Sequence, residues 1–337
     1  MLLSNGKIPN PVINKLISKF HNKDPRVLLG PEIGEDTAHI SFGSKTLILT
    51  SDPITFVDEN IEKYSLQINA NDIATSGALP KWFLATVLFS ENTSEESIYK
   101  TFKKLNEAAN QINVTIVGGH TEITKGLSQT IISGTMIGEI ETSRAIKTSD
   151  ANIGDDILLY GYIGIEGTSI LAENYSEKLK SLQINQSVIN NAKKLILNPG
   201  ISIVEPAILA SSTNLVTSMH DVTEGGICTA LNEIANASKK GILIKKNEIP
   251  ILNETQEICD KLKLDPFGLI SSGALLITTS KNNSFKIIEK LKKEGFELKK
   301  IGEVTNNTEI LFIDENGYKI PIKNFYKDEI VKFFESD

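Results

Sequence analysis

The stretch GPEIGEDTAHI, residues 30–40, sets two acids side by side, Glu35 and Asp36, behind a glycine and ahead of a short apolar run. Adjacent carboxylates repel, so either water solvates both or a cation comes to them. Downstream, TLILT (46–50) is a β-branched apolar run that stops at Ser51-Asp52-Pro53 and reads as a strand. Helical spacing follows from about Ile61 to Ser76, with Gly77 as a stop and Pro80 beyond it. WFLATVLF (82–89) is the next strand. Thr93 and Glu96 form a capping box ahead of Ile98, Phe102, Leu105, Ala109 and Ile112, which repeat at helical spacing. VTIVGG (114–119) reads as a buried strand ending in glycines, and QTIISGTMIGEI (129–140) as another.

A polar, turn-rich stretch at Ser149–Asp155 divides the chain into parts 1–150 and 151–337. In the second part DILLYGYIG (156–164) is a strand. A helix-rich stretch runs from about Gly167 to Ser212, broken at Asn198-Pro199-Gly200. LVTSM (215–219) leads to His220-Asp221, and a helix spans about Gly225 to Ala237. GALLITTS (273–280) and ELKKIGEV (297–304) bracket an amphipathic helix with Phe285, Ile288 and Leu291 on one face. Strands interleaved with helices predict an α/β (α+β) architecture in two domains.

The 337 residues are 40% hydrophobic and 23% charged, which places the chain among soluble globular proteins. A net charge of −7 with no basic run excludes a nucleic-acid partner. No apolar run approaches the roughly 20 residues of a membrane helix, and MLLSNGKIPN lacks a signal-peptide pattern, so no membrane association is expected. Cys228 and Cys259 are isolated on helical segments and read as buried free thiols, in keeping with a cytoplasmic setting. The only arginines are Arg26 and Arg144. A phosphate ligand would therefore be held by metal ions, backbone N–H groups and lysines rather than by guanidinium forks.

Taken singly, the acids have plain structural readings. Asp52-Pro53 reads as a turn, Asp221 and Thr223 as helix caps, Asp72 as part of a solvated helix face, and His120 as a hydrogen-bonded structural imidazole. Their order is the informative feature. Asp52, His120 and Asp221 fall at strand ends, where ligands gather in open sheets. Two carboxylates ~4 Å apart repel by about 4 kcal/mol even at an effective dielectric of 20, so convergence demands a cation or protons. Oxygen donors from Asp, Glu and Asn suit Mg²⁺ bridging to phosphates. The glycine pairs 118–119 and 225–226 offer close backbone approach and donors at a helix N-terminus. A Mg–nucleoside triphosphate site is the expectation.

GEDTAHI, LTSDPITF, NANDIATSGALP, VGGHTEIT and HDVTEGGICTALNEIA, in that order, resemble the AIR synthase (PurM-like) superfamily over about residues 5–305. Within it the chain is most similar to the hydrogenase-maturation proteins of the HypE type, notably over LNEIANASKKGILIKKNEIPILNETQEICDKLKLDPFGLISSGALLIT. The resemblance implies an N-terminal ferredoxin-like domain whose strands form a barrel shared by a homodimer, a C-terminal α/β domain, and ATP with Mg²⁺. It implies metal or metal-bound phosphate contacts at Asp36, Asp52, Asp72 and Asp221. It implies nucleotide contacts at Lys7, Glu35, Asn71, Gly118, Gly119, Thr121, Gly225 and Gly226. His120 and Glu166 are the candidate acid–base and acceptor-facing groups.

The implied activity is ATP-dependent phosphorylation of an oxygen on a small or protein-borne acceptor of unknown identity, with a maturation protein as a candidate partner. This sequence departs from HypE in ending KFFESD rather than with the cysteine that carries the carbamoyl group, in Glu224 where the family has arginine, and in Ser272 at an acidic position. Two alternatives stand beside the enzyme reading. One is a non-catalytic nucleotide-binding scaffold. The other is a thiamine-monophosphate-kinase-like enzyme, to which the metal residues are similar and the C-terminal half is not.

Overall fold

The computed structural model describes residues 7–20, 24–55, 57, 59–141 and 145–336. Arg144 lies outside the described residues. In chain order the elements are α1 (Asn10–Ile17), β1 (Val27–Leu29), β2 (Ala38–Phe42), β3 (Lys45–Ile54), α2 (Ile61–Thr75), β4 (Leu79–Phe89), α3 (Glu95–Gln111), β5 (Thr115–Ile123) and β6 (Ile131–Glu141). They continue as β7 (Asp155–Tyr160), α4 (Ile165–Asn174), α5 (Ser176–Ser181), α6 (Gln186–Lys194), α7 (Val204–Ser212), β8 (Val216–Val222), α8 (Gly226–Ser238) and β9 (Gly241–Lys245). The last are α9 (Asn253–Leu262), β10 (Ala274–Ser280), α10 (Ser284–Lys293), β11 (Leu298–Thr305), β12 (Ile310–Ile313), β13 (Lys319–Pro321) and α11 (Glu329–Ser336).

Two compact units form. One comprises Asn22–Gly30 and Asp36–Ala145, the other Met1–His21, Pro31–Glu35 and Ile146–Asp337. In the first, β1-β2-β3-β6-β4-β5 make a sheet in which β4 and β5 run parallel and the other neighbours antiparallel. Alternation sorts its faces. Thr46, Ile48, Phe83, Ala85, Val87, Ile132 and Met136 are buried, while Leu47, Leu49, Trp82, Leu84 and Ile137 point the other way and stay half-exposed. Helix α2 lies very close to β6. A Cβ on Gly134 would sit 2.4 Å from the Phe83 ring, and one on Gly138 2.4 Å from Ile73.

The second unit holds the sheet β13-β12-β9-β11-β7-β10-β8. One of its faces packs Ile157, Leu159, Leu276 and Ile301 against Leu231 and Ile234 of α8. A β-sheet and helix each apolar on one side bury those sides against one another, and two such layered units give the expected α/β (α+β) architecture.

Several local expectations are corrected. Strand β3 does not stop at Ser51 but runs through Pro53, with Asp52 inside it and paired to Gly134. The ladder between β2 and β3 reaches only to Leu49, so Pro53 costs no bond to β2. Strand β5 does not end at its glycines and is not buried. It is an edge strand exposed along nearly its whole length, with His120 in its middle. The cap of α3 is Ser94, whose hydroxyl accepts the Ser97 N–H, while Thr93 bonds back to Ser90. On α10 the buried spacing is Ser284, Ile287 and Leu291, which turns Phe285 outward to 68% exposure. His220 and Asp221 lie within β8 rather than after it.

Candidate functional site

In the first unit the site grows from β3 and the α2 helix that covers it. Thr50 and Asp52 are two apart on β3 and share a face. Asp72, three residues after Asn69 on α2, is buried and accepts the Thr50 hydroxyl at 2.7 Å. Asn69 grips the backbone of Asp52 from both sides. Its Oδ1 accepts the Asp52 N–H at 3.0 Å, and its Nδ2 donates to the Asp52 carbonyl at 3.2 Å and to Ser65 at 2.8 Å. The absence of a side chain on Gly134 permits this grip, because a Cβ there would lie 2.8 Å from Asn69 Nδ2. Asn71 is fully buried and accepts from Gln67 at 3.0 Å. The solvated-face reading of Asp72 is thus corrected: α2 is buried from end to end except at Lys63 and Ile68.

Asp36 is half-exposed just ahead of β2. Behind it, Thr37, His39 of β2 and Ser76 at the end of α2 are buried in a hydroxyl–imidazole cluster with contacts of 2.8–3.1 Å. Gly118, Gly119, His120 and Thr121 all sit on exposed β5. The His120 ring contacts Glu122 at 3.1 Å, and Glu122 also accepts the Thr124 hydroxyl. Gly119, at φ +148°, is there because a Cβ would strike the Ala85 carbonyl oxygen at 1.9 Å.

In the second unit, Glu35 accepts the N–H groups of Thr148 and Ser149 at 2.9 and 3.0 Å. Asp221 is buried on β8, paired with Leu275. Its neighbour His220 meets Glu233 of α8 at 3.2 Å, and Lys7 reaches the other oxygen of Glu233 at 2.8 Å. Burial opposes ionisation of Glu233, yet Lys7 and His220 outweigh it and hold its carboxyl down at about 2. Lys7 also donates its N–H to Glu224, so the residue that replaces the family arginine receives the N-terminal segment.

Helix α8 opens at Gly225, whose N–H donates to Asp328 at 2.6 Å, while the Gly226 N–H goes to Thr223. Asp328 is buried and also caps α11 through Ile330. Burial pushes its carboxyl up to about 7 against the pull of those N–H groups. Glu166, in the first turn of α4, is buried and accepts the Ser272 N–H at 3.1 Å. Burial, opposed by its Ser272 contacts, likewise raises Glu166 to about 7, which suits a group that exchanges a proton near neutrality.

Both cysteines are buried free thiols, and burial lifts each to about 12. Neither offers a thiolate in this fold. Sequence reasoning missed Thr50, Asn69, Glu233 and Asp328. Asn69 was signalled by its place one helical turn before Asp72, on the same face.

The donors around β3 and α2 are all oxygens and amides, a set that fits Mg²⁺ and not a soft metal. Among the described residues, no single helix is long and apolar enough to cross a membrane.

Comparison with known proteins agrees with this architecture. Residues 34–140 match the N-terminal domain, and residues 152–314 the C-terminal domain, of the family described as AIR synthase related protein. A protein of Methanocaldococcus jannaschii named for hydrogenase expression and formation is 31% identical over 274 residues, 79% of this chain and 77% of that one. Thiamine-monophosphate kinase of Pyrococcus horikoshii is 28% identical over 94% of this chain and 92% of its own. That span corrects the expectation that the C-terminal half is unlike the kinases. The crystal structure of HypE in complex with ATP superposes with a TM-score of 0.69 at 21% identity, covering 97% of this chain and 98% of that one. With both family patterns matched in order over most of its length, this chain belongs to the AIR synthase related proteins, with the two-domain PurM-like fold and a kinship to HypE.

Proposed function

We propose that the protein is an ATP- and Mg²⁺-dependent enzyme that activates an oxygen of an acceptor by phosphorylation. The observation that carries this reading is the fixed pair of carboxylates on β3 and α2. Asp72 is buried and hydrogen-bonded to Thr50, and Asp52 is locked through its backbone by Asn69. A buried carboxylate beside a half-buried one, both on well-fixed backbone, is suited to a hard divalent cation. Asp36, Asp52 and Asp72 of the first unit would hold metal-bridged phosphates, and Asp221 is the candidate ligand that the second unit carries. Mg²⁺, when bound, supplies charge neutralisation on the transferring phosphoryl group, and the chain supplies position. Glu166, with a carboxyl near 7, is the proton-exchanging group of this reading. His120, on the exposed edge strand, would serve only where a second molecule covers β5.

Kinship with proteins named for hydrogenase maturation supports a maturation role, and kinship with thiamine-monophosphate kinase supports a small-molecule kinase. The two cysteines argue against a thiol-carried carbamoyl route within this chain, since both are buried and held protonated. An ATPase assay with and without Mg²⁺ tests the proposal. Turnover that needs Mg²⁺ and falls at least 100-fold in Asp52→Asn is expected. Tight nucleotide binding without turnover would leave a scaffold instead.

The half-exposed apolar face of the first sheet and its bare edge β5 support a homodimer.

A further inference from the structure

At the end of the second sheet, where β7 finishes and β10 and β11 begin, a cavity of 490 Å³ opens. Its size is that of small-molecule sites, which commonly span ~300–1,000 Å³. None of the groups assigned above to nucleotide or metal lines it.

Three features define what it would take. The floor is apolar and aromatic. Ile288 of α10 and Leu298 of β11 lie beside Tyr160, which stands on the sheet face opposite the α8 core and meets Phe296 edge-on at 5.8 Å. Burial and nearby Glu205 raise the Tyr160 phenol, so it stays a neutral donor. One wall is built around Gly161 and Gly273. Gly161, at φ +81°, runs so close to the Gly273 carbonyl that a Cβ would sit 2.3 Å from it, and a Cβ on Gly273 would lie 2.7 Å from Gly200. Neither glycine of this wall could carry a side chain, and Tyr162, Pro199 and Pro250 complete it.

The rim is amphoteric. Lys299 is already paired with Glu248 at 3.0 Å, as Lys300 is with Asp156 and Lys290 with Glu294. Lys292 and Glu297, either side of the Gly295 turn, have no ion-pair partner among the described residues. One cation and one carboxylate thus line a cavity of mixed polar and apolar surface.

The geometry points to a binding site for a small zwitterion with a large apolar group, of the kind represented by a free aromatic or branched aliphatic amino acid. Lys292 faces its carboxylate, Glu297 its ammonium, and the tyrosine–isoleucine–leucine floor its side chain. The assignment is independent of the nucleotide reading.

Ligand-observed NMR on the full chain, with L-phenylalanine and L-leucine as probes, tests it. Saturable binding is expected, and filling the cavity by Ile288→Trp abolishes it. N-acetyl-L-phenylalanine and L-phenylalanine amide each bind about two- to fivefold more weakly, the scale of an exposed ion pair. Lys292→Ala weakens phenylalanine but not the amide, and Glu297→Ala weakens phenylalanine but not the acetyl form. A circular dichroism melt confirms that Ile288→Trp folds, and the two exposed variants carry the test if it does not. Absence of saturable binding for both amino acids, unchanged binding in Ile288→Trp, or indifference to both rim charges overturns the assignment.

Discussion

Thr50 and Asn69 contribute no charge, yet the arrangement of the acids depends on both. Replacing Thr50 with valine keeps the shape of β3 and removes the donor to buried Asp72. Leaving one buried acceptor without its partner costs about 1–3 kcal/mol. We expect Thr50→Val to lower thermal stability by that order and to raise the Mg²⁺ concentration needed for half-maximal turnover. Asn69→Ala should lower kcat with little change in the KM for ATP, because it frees the Asp52 backbone without removing a carboxylate. Steady-state kinetics at varied Mg²⁺ checks both. A second residue-scale expectation concerns Asp328, raised from 3.8 to about 7 by burial. The folded chain then holds a proton that the unfolded chain has released between about pH 4 and pH 7. Stability therefore falls as pH rises through that window and levels off above it. Asp328→Asn removes the dependence, so relative to wild type it should gain roughly 2 kcal/mol between pH 5 and pH 8, read from urea midpoints. Glu166 adds the same sign. The acids at 52 and 72 drew attention because carboxylates in motif order are conspicuous, though the burial of Asp72 and the place of Asp52 inside β3 were not legible. Nor were Asn69 and Asp328, since a lone amide on a helix or an acid near a chain's end carries no periodic signal.

Among the elements, β5 shows how a pattern can mislead. The run VTIV is what a strand buried on both sides would carry, yet Val117 is 53% exposed. An apolar edge strand also arises where a second surface is to cover it, and one chain alone cannot distinguish the two. The same limit explains Phe285, which satisfies a helical period as well as Ile287 does until the sheet chooses the face. By contrast, α2 was read almost to the residue, because its Gly77 stop sits at φ +75° and ends it by backbone geometry. Gly119 tests the joint between β4 and β5. Gly119→Ala would force a Cβ against the Ala85 carbonyl and should cost about 3 kcal/mol or more, with loss of amide protection along β5 in hydrogen exchange. Gly43→Ala is the control, since nothing lies within 4 Å of its Cβ position. Its left-handed φ of +66° should limit the cost to about 1 kcal/mol.

For the whole molecule, alternation of strand and helix was enough to predict two α/β parts, because the sheet period of 2 and the helix period of 3.6 leave separate marks on a soluble chain. What alternation also left visible is a sheet with two apolar faces. In the first unit the face carrying Ile48, Phe83 and Val87 is buried, but Leu47, Leu49, Trp82, Leu84 and Ile137 on the other remain half-exposed. Monomeric proteins rarely expose large contiguous apolar patches, and an open edge beside such a face invites pairing. A second copy supplying the same face satisfies both at once, with two-fold symmetry that closes the assembly. Burying a charge at the centre of such a face leaves it unpaired and costs several kcal/mol. Leu84→Glu should therefore convert a dimer to a monomer in light scattering at micromolar concentration. Glu at exposed Tyr99, on the outer side of α3, should leave the mass unchanged. If the Leu84→Glu monomer also loses Mg²⁺-dependent turnover while retaining its melting cooperativity, β5 with His120 is doing its work only when covered. If turnover survives in the monomer, His120 has no part in the chemistry and the edge strand serves assembly alone.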